Sequence, residues 1–200
     1  LHAAILRGDL DTVNALLVYG ANPNERLLKP NPVQRASEDW VLKTPLVGAT
    51  PYWIAASFRE AEIMRALTDG GADSLLTNEE QWSLPRNRED RDSYTPRVIG
   101  GFETTVQAAI KGDSTRGRYY VQANPDPAGE EQLALAAVKA AADQGVNLNH
   151  TDFTESTALH DASVRALPNI IRELAERGAD INALNARGQT SLDLAIIAEN

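Results

Sequence analysis

Apolar residues fall along this chain in short stripes at helical spacing. Leu1, Ala4 and Ile5 form one stripe, closed by Gly8, and Val13, Leu16 and Leu17 form the next, closed by Gly20. The pair then returns. A residue opening a first helix precedes a closing glycine by 19 residues at Leu1 to Gly20, Tyr52 to Gly71 and Leu159 to Gly178. From Gly145 to Leu159, and from Gly178 to Leu192, the step is 14, which sets a period of 33 residues. Two helices of about three turns each cannot bury their apolar faces alone, so each pair needs neighbours stacked on both sides. The period therefore predicts an all-α solenoid of about five helix-turn-helix units.

The period breaks three times. Gly20 to Tyr52 is 32 residues and Gly71 to Val106 is 35, insertions of 18 and 21 in the connections between units. Val106 to Gly145 is 39, an insertion of 20 between the two helices of the third unit, around Ser114–Glu130. Long loops in compact domains are functional or disordered. These carry prolines and apolar residues, including Trp40, Trp82 and Tyr119, which predicts ordered loops, with Trp40 and Trp82 read as loop-pinning residues.

The units carry a motif. The fourth reads Thr157-Ala158-Leu159-His160-Asp161-Ala162, then Ile170, Ile171 and Leu174, then Gly178-Ala179-Asp180-Ile181-Asn182. The second begins Thr50-Pro51-Tyr52-Trp53, the third Thr104-Thr105-Val106-Gln107, and a fifth Thr190-Ser191-Leu192. The threonine caps the first helix and proline suits its first turn. This resembles the ankyrin repeat. The resemblance implies one domain over 1–200, with repeats near 1–24, 50–78, 104–149 (insertion 114–130), 157–182 and a partial 190–200. The inserted fingers are 25–48 and 79–103, and the chain reads as a piece of a longer protein. The departures are Arg59 and Ala166 where the family has glycine, and Trp53 and Gln107 where it has histidine; they are expected to affect local packing alone. Val47-Gly48-Ala49-Thr50-Pro51, Ile63–Leu67 and Arg187–Thr190 are similar to a bacterial type of ankyrin protein, which leans towards export over the cytoplasm.

Charge and composition narrow function. The net charge of −9, with a pI near 4.8, argues against nucleic acid or anionic lipid as a partner. Residues 131–200 carry −5 of it, whereas 25–48 sum to +1 and 83–103 to zero. No run of 18 apolar residues exists, so membrane insertion is not expected. With no cysteine there is no disulfide or thiolate chemistry.

Catalytic and metal-binding patterns find little support. His2 and His160 fit a bond tying neighbouring repeats, and His150 has too few ligands nearby for a metal. Glu79-Glu80 and Glu130-Glu131 read as solvated charge and helix N-terminal acids. Asp90–Asp92 lacks the spacing and glycine of a calcium loop. No phosphate loop or nucleophile elbow appears. The expectation is a non-catalytic protein-binding module with no cofactor and no metal. Two alternatives remain, a structural subunit assembling end to end or within a larger complex, and the docking arm of an exported enzyme or redox protein.

The resemblance places partner contacts at two sets of positions. On the first helices they are Leu6, Arg7, Ser57, Phe58, Lys111, Val164 and Arg165. On the fingers they are Thr151, Phe153, Thr154, Leu184, Arg187 and Gln189. Aromatic and arginine side chains dominate binding energy, so Phe58, Phe153 and the arginines are the expected anchors, with packing under the first finger the competing role for Phe58.

Overall fold

The computed structural model describes residues 1–29, 46–82, 97–112 and 127–198. Trp40, Tyr119 and Asp90–Asp92 lie outside the described residues. Among those described, helices alternate as the period predicts. The first helices are α1 (His2–Arg7), α3 (Pro51–Ser57), α5 (Thr105–Lys111), α7 (Ala158–Val164) and α9 (Ser191–Ala198). The second helices are α2 (Leu10–Val18), α4 (Ala61–Asp69), α6 (Pro127–Ala142) and α8 (Pro168–Glu176). Each first helix packs on the next first helix and each second helix on the next second helix, giving two stacked rows.

Local chemistry sets the helix starts. Thr50 Oγ1 accepts from Trp53 N at 3.3 Å, and Thr104 Oγ1 from Gln107 N at 3.2 Å, each satisfying a free first-turn donor. One core runs between the rows. Ile5, Ile54 and Ile110 meet Val13, Met64, Val138 and Ile170 in it, all fully buried. The alanines of α6 leave room for Tyr52, whose hydroxyl donates to Ala140 O at 3.2 Å. Burial, and then the negative charge of Asp143, push that hydroxyl's pKa well up, so it stays protonated.

Three features go beyond the period. Strands β1 (Gln81–Trp82) and β2 (Val98–Gly100) pair antiparallel at the base of the second inserted finger. The base of the first finger pairs too, with Leu27 N bonded to Ala49 O at 2.9 Å and Gly48 N to Leu27 O at 2.8 Å. The two bases pack together. Gly48 has φ +83°, and a Cβ there would lie 2.8 Å from Glu79 Cβ. Gly101 has φ +118°, and a Cβ there would lie 2.6 Å from Glu79 O.

The third feature is the length of α6. It has 16 residues where α2, α4 and α8 have nine, so the last part of the insertion expected at 114–130 is helix. The extension joins three repeats. Glu130 pairs with Arg59 of the second repeat. Glu131 accepts from Asn169 N at 2.7 Å and from Asn169 Nδ2 at 2.9 Å, capping α8, whose own N-cap residue Leu167 makes no side-chain cap. Both acids, read from sequence as solvated charge and helix N-terminal acids, lie near the start of α6 as the second reading has it, and they are structural ties rather than solvated charge.

Arg59, Glu155 and Ala166 hold φ of 60°, 57° and 51°, the left-handed region that glycine occupies at least strain. Arg59 gains contacts in return. Its Nε donates to Ala109 O at 3.2 Å and its Nη2 to Ile110 O at 3.3 Å, covering carbonyls at the end of α5.

Candidate interaction surface

The fingers form a bonded edge along one side of the stack. At the turn closing each repeat, Asn22, Asp73, Asn147 and Asp180 accept with a side-chain oxygen from the backbone nitrogen two residues on, at 2.9, 2.9, 3.0 and 2.9 Å. Asn24 then accepts from Asp73 N at 2.7 Å, and Asn149 from Asp180 N at 2.8 Å, so each of these asparagines holds the following finger. Phe153 N reaches Gly101 O and Ala186 N reaches Thr154 O, both at 3.2 Å. The described parts of the fingers are thus fixed to one another.

A second set of ties runs from the first helices to the fingers. His160 Nδ1 accepts from Thr157 N at 3.1 Å, which leaves the proton on Nε2 to donate to Gln189 O at 3.0 Å. Gln107 does the same in its repeat. Its Oε1 accepts from Thr104 N at 3.0 Å and its Nε2 donates to Ser156 O at 2.9 Å. Trp53 Nε1 donates to Glu103 O at 3.0 Å. Glu103, Ser156 and Gln189 each directly precede a capping threonine, so three different side chains make one bond. His2 is the exception. Its Nε2 has no partner, and the ring bonds instead to the backbone of Glu25, at the start of the first finger. His150 Nε2 lies 2.9 Å from Phe102 O, a finger-to-finger contact.

The third and fourth fingers repeat one turn. Asp152 Oδ1 accepts from Thr154 N at 2.8 Å and Ser156 N at 3.1 Å; Asn185 Oδ1 accepts from Arg187 N at 2.9 Å and Gln189 N at 3.1 Å. Between these turns lies a groove of about 480 Å³, lined by Phe153, Thr154, Ser156, Asn185, Ala186, Arg187, Gln189 and Leu194. Phe153 is 43% exposed, and Phe102, on the neighbouring finger, 40%.

Beneath the third finger sits an ion cluster. Lys111 Nζ is 2.8 Å from Glu103 Oε1, 2.7 Å from Asp152 Oδ2 and 3.5 Å from Asp161 Oδ2. Burial disfavours the ammonium, but the three carboxylates prevail and raise its pKa. Asp152 is also partly desolvated, yet its bonds from Lys111 and Thr154 hold its carboxyl below the usual range. Asp161 goes the other way, pushed up to about 7, first by burial and then by the charges of Asp152 and Glu103, against the pull of Lys111.

Four expected contact residues, Phe153, Thr154, Arg187 and Gln189, are brought together in the groove. Thr151 and Leu184 are exposed on the same two fingers, Leu184 by 58%. Arg7, Val164 and Arg165 are exposed at the ends of α1 and α7, apart from the groove. Leu6, Ser57 and Phe58 are corrected. They are buried, at 1%, 4% and 7% exposure, and offer no surface to a partner. Leu6 and Phe58 are apolar and join the core, while the Ser57 hydroxyl donates to Ile54 O at 2.8 Å. Lys111 is held in its ion cluster rather than presented as a free cation. The sequence reading missed Asn185, which shapes the groove, although Asp152 stands one period before it. Among the described residues, no group of three or more His, Asp or Glu is placed to hold a metal ion, and no helix is long and apolar enough to cross a membrane.

Known proteins share the repeat in sequence. A family model described as ankyrin repeats (many copies) matches residues 140–195, and one described as ankyrin repeat matches 1–26. Protein fem-1 homolog A from Bos taurus is 34% identical over 100 residues, and that from Homo sapiens 35% over 100. The protein of the same name from Danio rerio is 32% identical over 100 residues. Each match covers 50% of this chain but only 14% of the cattle and human proteins and 15% of the fish protein, so the chain spans a small part of these relatives. The 33-residue period, the two rows of paired helices, the finger turns and these matches together make the chain an ankyrin-repeat protein.

Proposed function

We propose that this chain binds a protein partner along its finger edge and the first-helix side of the stack, with the groove between the third and fourth fingers as the principal seat. Ankyrin repeats mark a protein–protein interaction module, in a family that typically acts by binding and not by catalysis. The observation that carries the finer reading is the groove itself. It joins an exposed aromatic, Phe153, to an arginine, Arg187, on a rigid, mutually bonded pair of turns. Rigid aromatic and arginine anchors lower the entropy lost on binding. A photo-crosslinking residue at Thr154 or Leu184 will then capture a protein partner in cells, and one at Asn14 or Arg172, exposed on second helices, will not. Capture only from Asn14 and Arg172 would overturn the reading.

A second reading, end-to-end assembly, has one observation in its favour. Helix α9 packs on α7 but leaves Leu192, Ile196 and Ile197 exposed by 68%, 54% and 57%. Concentration-dependent sedimentation that Leu192→Glu abolishes would support it, and a monomer at all concentrations would exclude it.

A further inference from the structure

One carboxylate shapes the turn of the third finger. Asp152 Oδ1 gathers Thr154 N, Thr154 Oγ1 and Ser156 N, at 2.8, 2.7 and 3.1 Å, and so shapes the segment that supplies Phe153, Thr154 and Ser156 to the groove. Its other oxygen takes Lys111 Nζ at 2.7 Å. The same ammonium binds Glu103 of the second finger at 2.8 Å, and Glu103 N is in turn bonded to the buried Asn78 at 2.7 Å. One cation therefore joins α5, the second finger and the third finger, and it faces three carboxylates. The third, Asp161 of α7, has only the longer 3.5 Å contact and a 3.4 Å bond from Gln107 Nε2.

We propose that Lys111, Glu103, Asp152 and Asp161 form a proton-controlled latch that sets how firmly the third finger, and with it one wall of the groove, is held to the stack. With Asp161 protonated, Lys111 is shared between Glu103 and Asp152. Once Asp161 ionises, a third, partly buried negative charge competes for the same ammonium and repels the other two carboxylates, so the finger loosens. Among the described residues, Lys111 is the cation paired with Asp161, and Arg165, at the end of the same helix, lies exposed to solvent. His160, on its own helix, is turned to Gln189 O. Asp193 of α9 is bonded to Thr190. On α8, Arg172 is bonded to Asn169 and Arg177 to Glu173 and Asp143. Burial places the Asp161 transition at about 7, within the physiological range. The proposal rests on the reading of the groove as a partner seat for its importance, but not for its test.

That test needs no partner. The carboxyl carbon of Asp161 and the amides of Thr154 and Ser156 are followed by NMR from pH 5 to 9 in the wild-type chain and in Asp161→Asn. The expected result is a shared midpoint near 7 for all three signals in the wild type, with the amide inflection lost in Asp161→Asn. An Asp161 midpoint below about 5, nearer the ordinary carboxyl range, overturns the latch. So does an amide inflection that persists in Asp161→Asn, since it then belongs to another group. Failure here leaves the groove as a binding site; failure of the groove to bind leaves the titration standing.

Discussion

Glu131 and Asn169 join two repeats across 38 residues of sequence: the carboxylate accepts both the backbone and the side-chain nitrogen of Asn169, at 2.7 and 2.9 Å. Helix α8 begins at Pro168 with no cap of its own, so its first donors are satisfied from α6. Glu131→Ala should cost roughly 1–2 kcal/mol, the range for a lost helix cap, and Glu131→Gln less, because it keeps an acceptor. Urea denaturation measures both. An unchanged Glu131→Ala midpoint would show that α8 needs no cap from α6.

Gln107 and His160 occupy one position in successive repeats and make one bond. Gln107→Ala leaves Ser156 O and Thr104 N without that partner and should cost about 1–3 kcal/mol. Gln107→His restores a ring with the same acceptor and donor, so its stability should lie nearer wild type than that of the alanine variant. Equal losses in both would mean that the glutamine is held by packing rather than by this bond.

Two residues stand where glycine is expected, with different consequences. Ala166 holds φ of 51° on an exposed turn, and Ala166→Gly should stabilise by about 0.5–1 kcal/mol through relief of that strain. Arg59 holds φ of 60°, but it bonds Ala109 O, Ile110 O and Glu130. Arg59→Gly should therefore lower the melting temperature, while Ala166→Gly raises it. A rise in both would leave the Arg59 contacts without energetic weight.

The ion cluster gives stability a pH dependence whose sign is fixed. Asp161 has a folded-state pKa of about 7 against 3.8 for the model carboxyl, so between these values the folded chain holds a proton that the unfolded chain has released. Stability from this group falls as pH rises through that window, by an amount on the order of 2–4 kcal/mol. Asp152 is shifted down, so its contribution is present above its unfolded pKa and lost as pH falls through the lower folded value. Asp161→Asn should gain stability relative to wild type between pH 4 and 8, measured by denaturation at both. A difference independent of pH would contradict the shift assigned to Asp161.

The scaffold was legible because it is written in local terms. Helical stripes, closing glycines and capping threonines recur at fixed spacing, and each acts within a few residues of itself. The finger turns at Asn147 and Asp180 follow from the same periodicity. The ties between repeats were not legible. Nothing near Glu131 in sequence announces that it caps a helix starting 37 positions later, and Lys111 meets Asp152 and Asp161 only through stacking. The burial of Leu6 was missed for a related reason, while at Phe58 the competing role, packing, is the one observed. Their positions are surface positions in the general motif, but an apolar side chain there gains by turning into the core, at about 25 cal/mol per Å² buried. Phe153, Thr154, Arg187 and Gln189, named through the family resemblance, line one groove because the two finger turns that carry them repeat side by side.

The groove as a partner seat is tested most directly by calorimetric titration of a crosslinked and identified partner into purified variants. Phe153→Ala and Arg187→Ala should each weaken affinity about tenfold or more, equivalent to roughly 1.4 kcal/mol, with unchanged melting temperatures, while Asn14→Ala binds as wild type. Wild-type affinity in both groove variants, together with a loss in Asn14→Ala, would contradict the account.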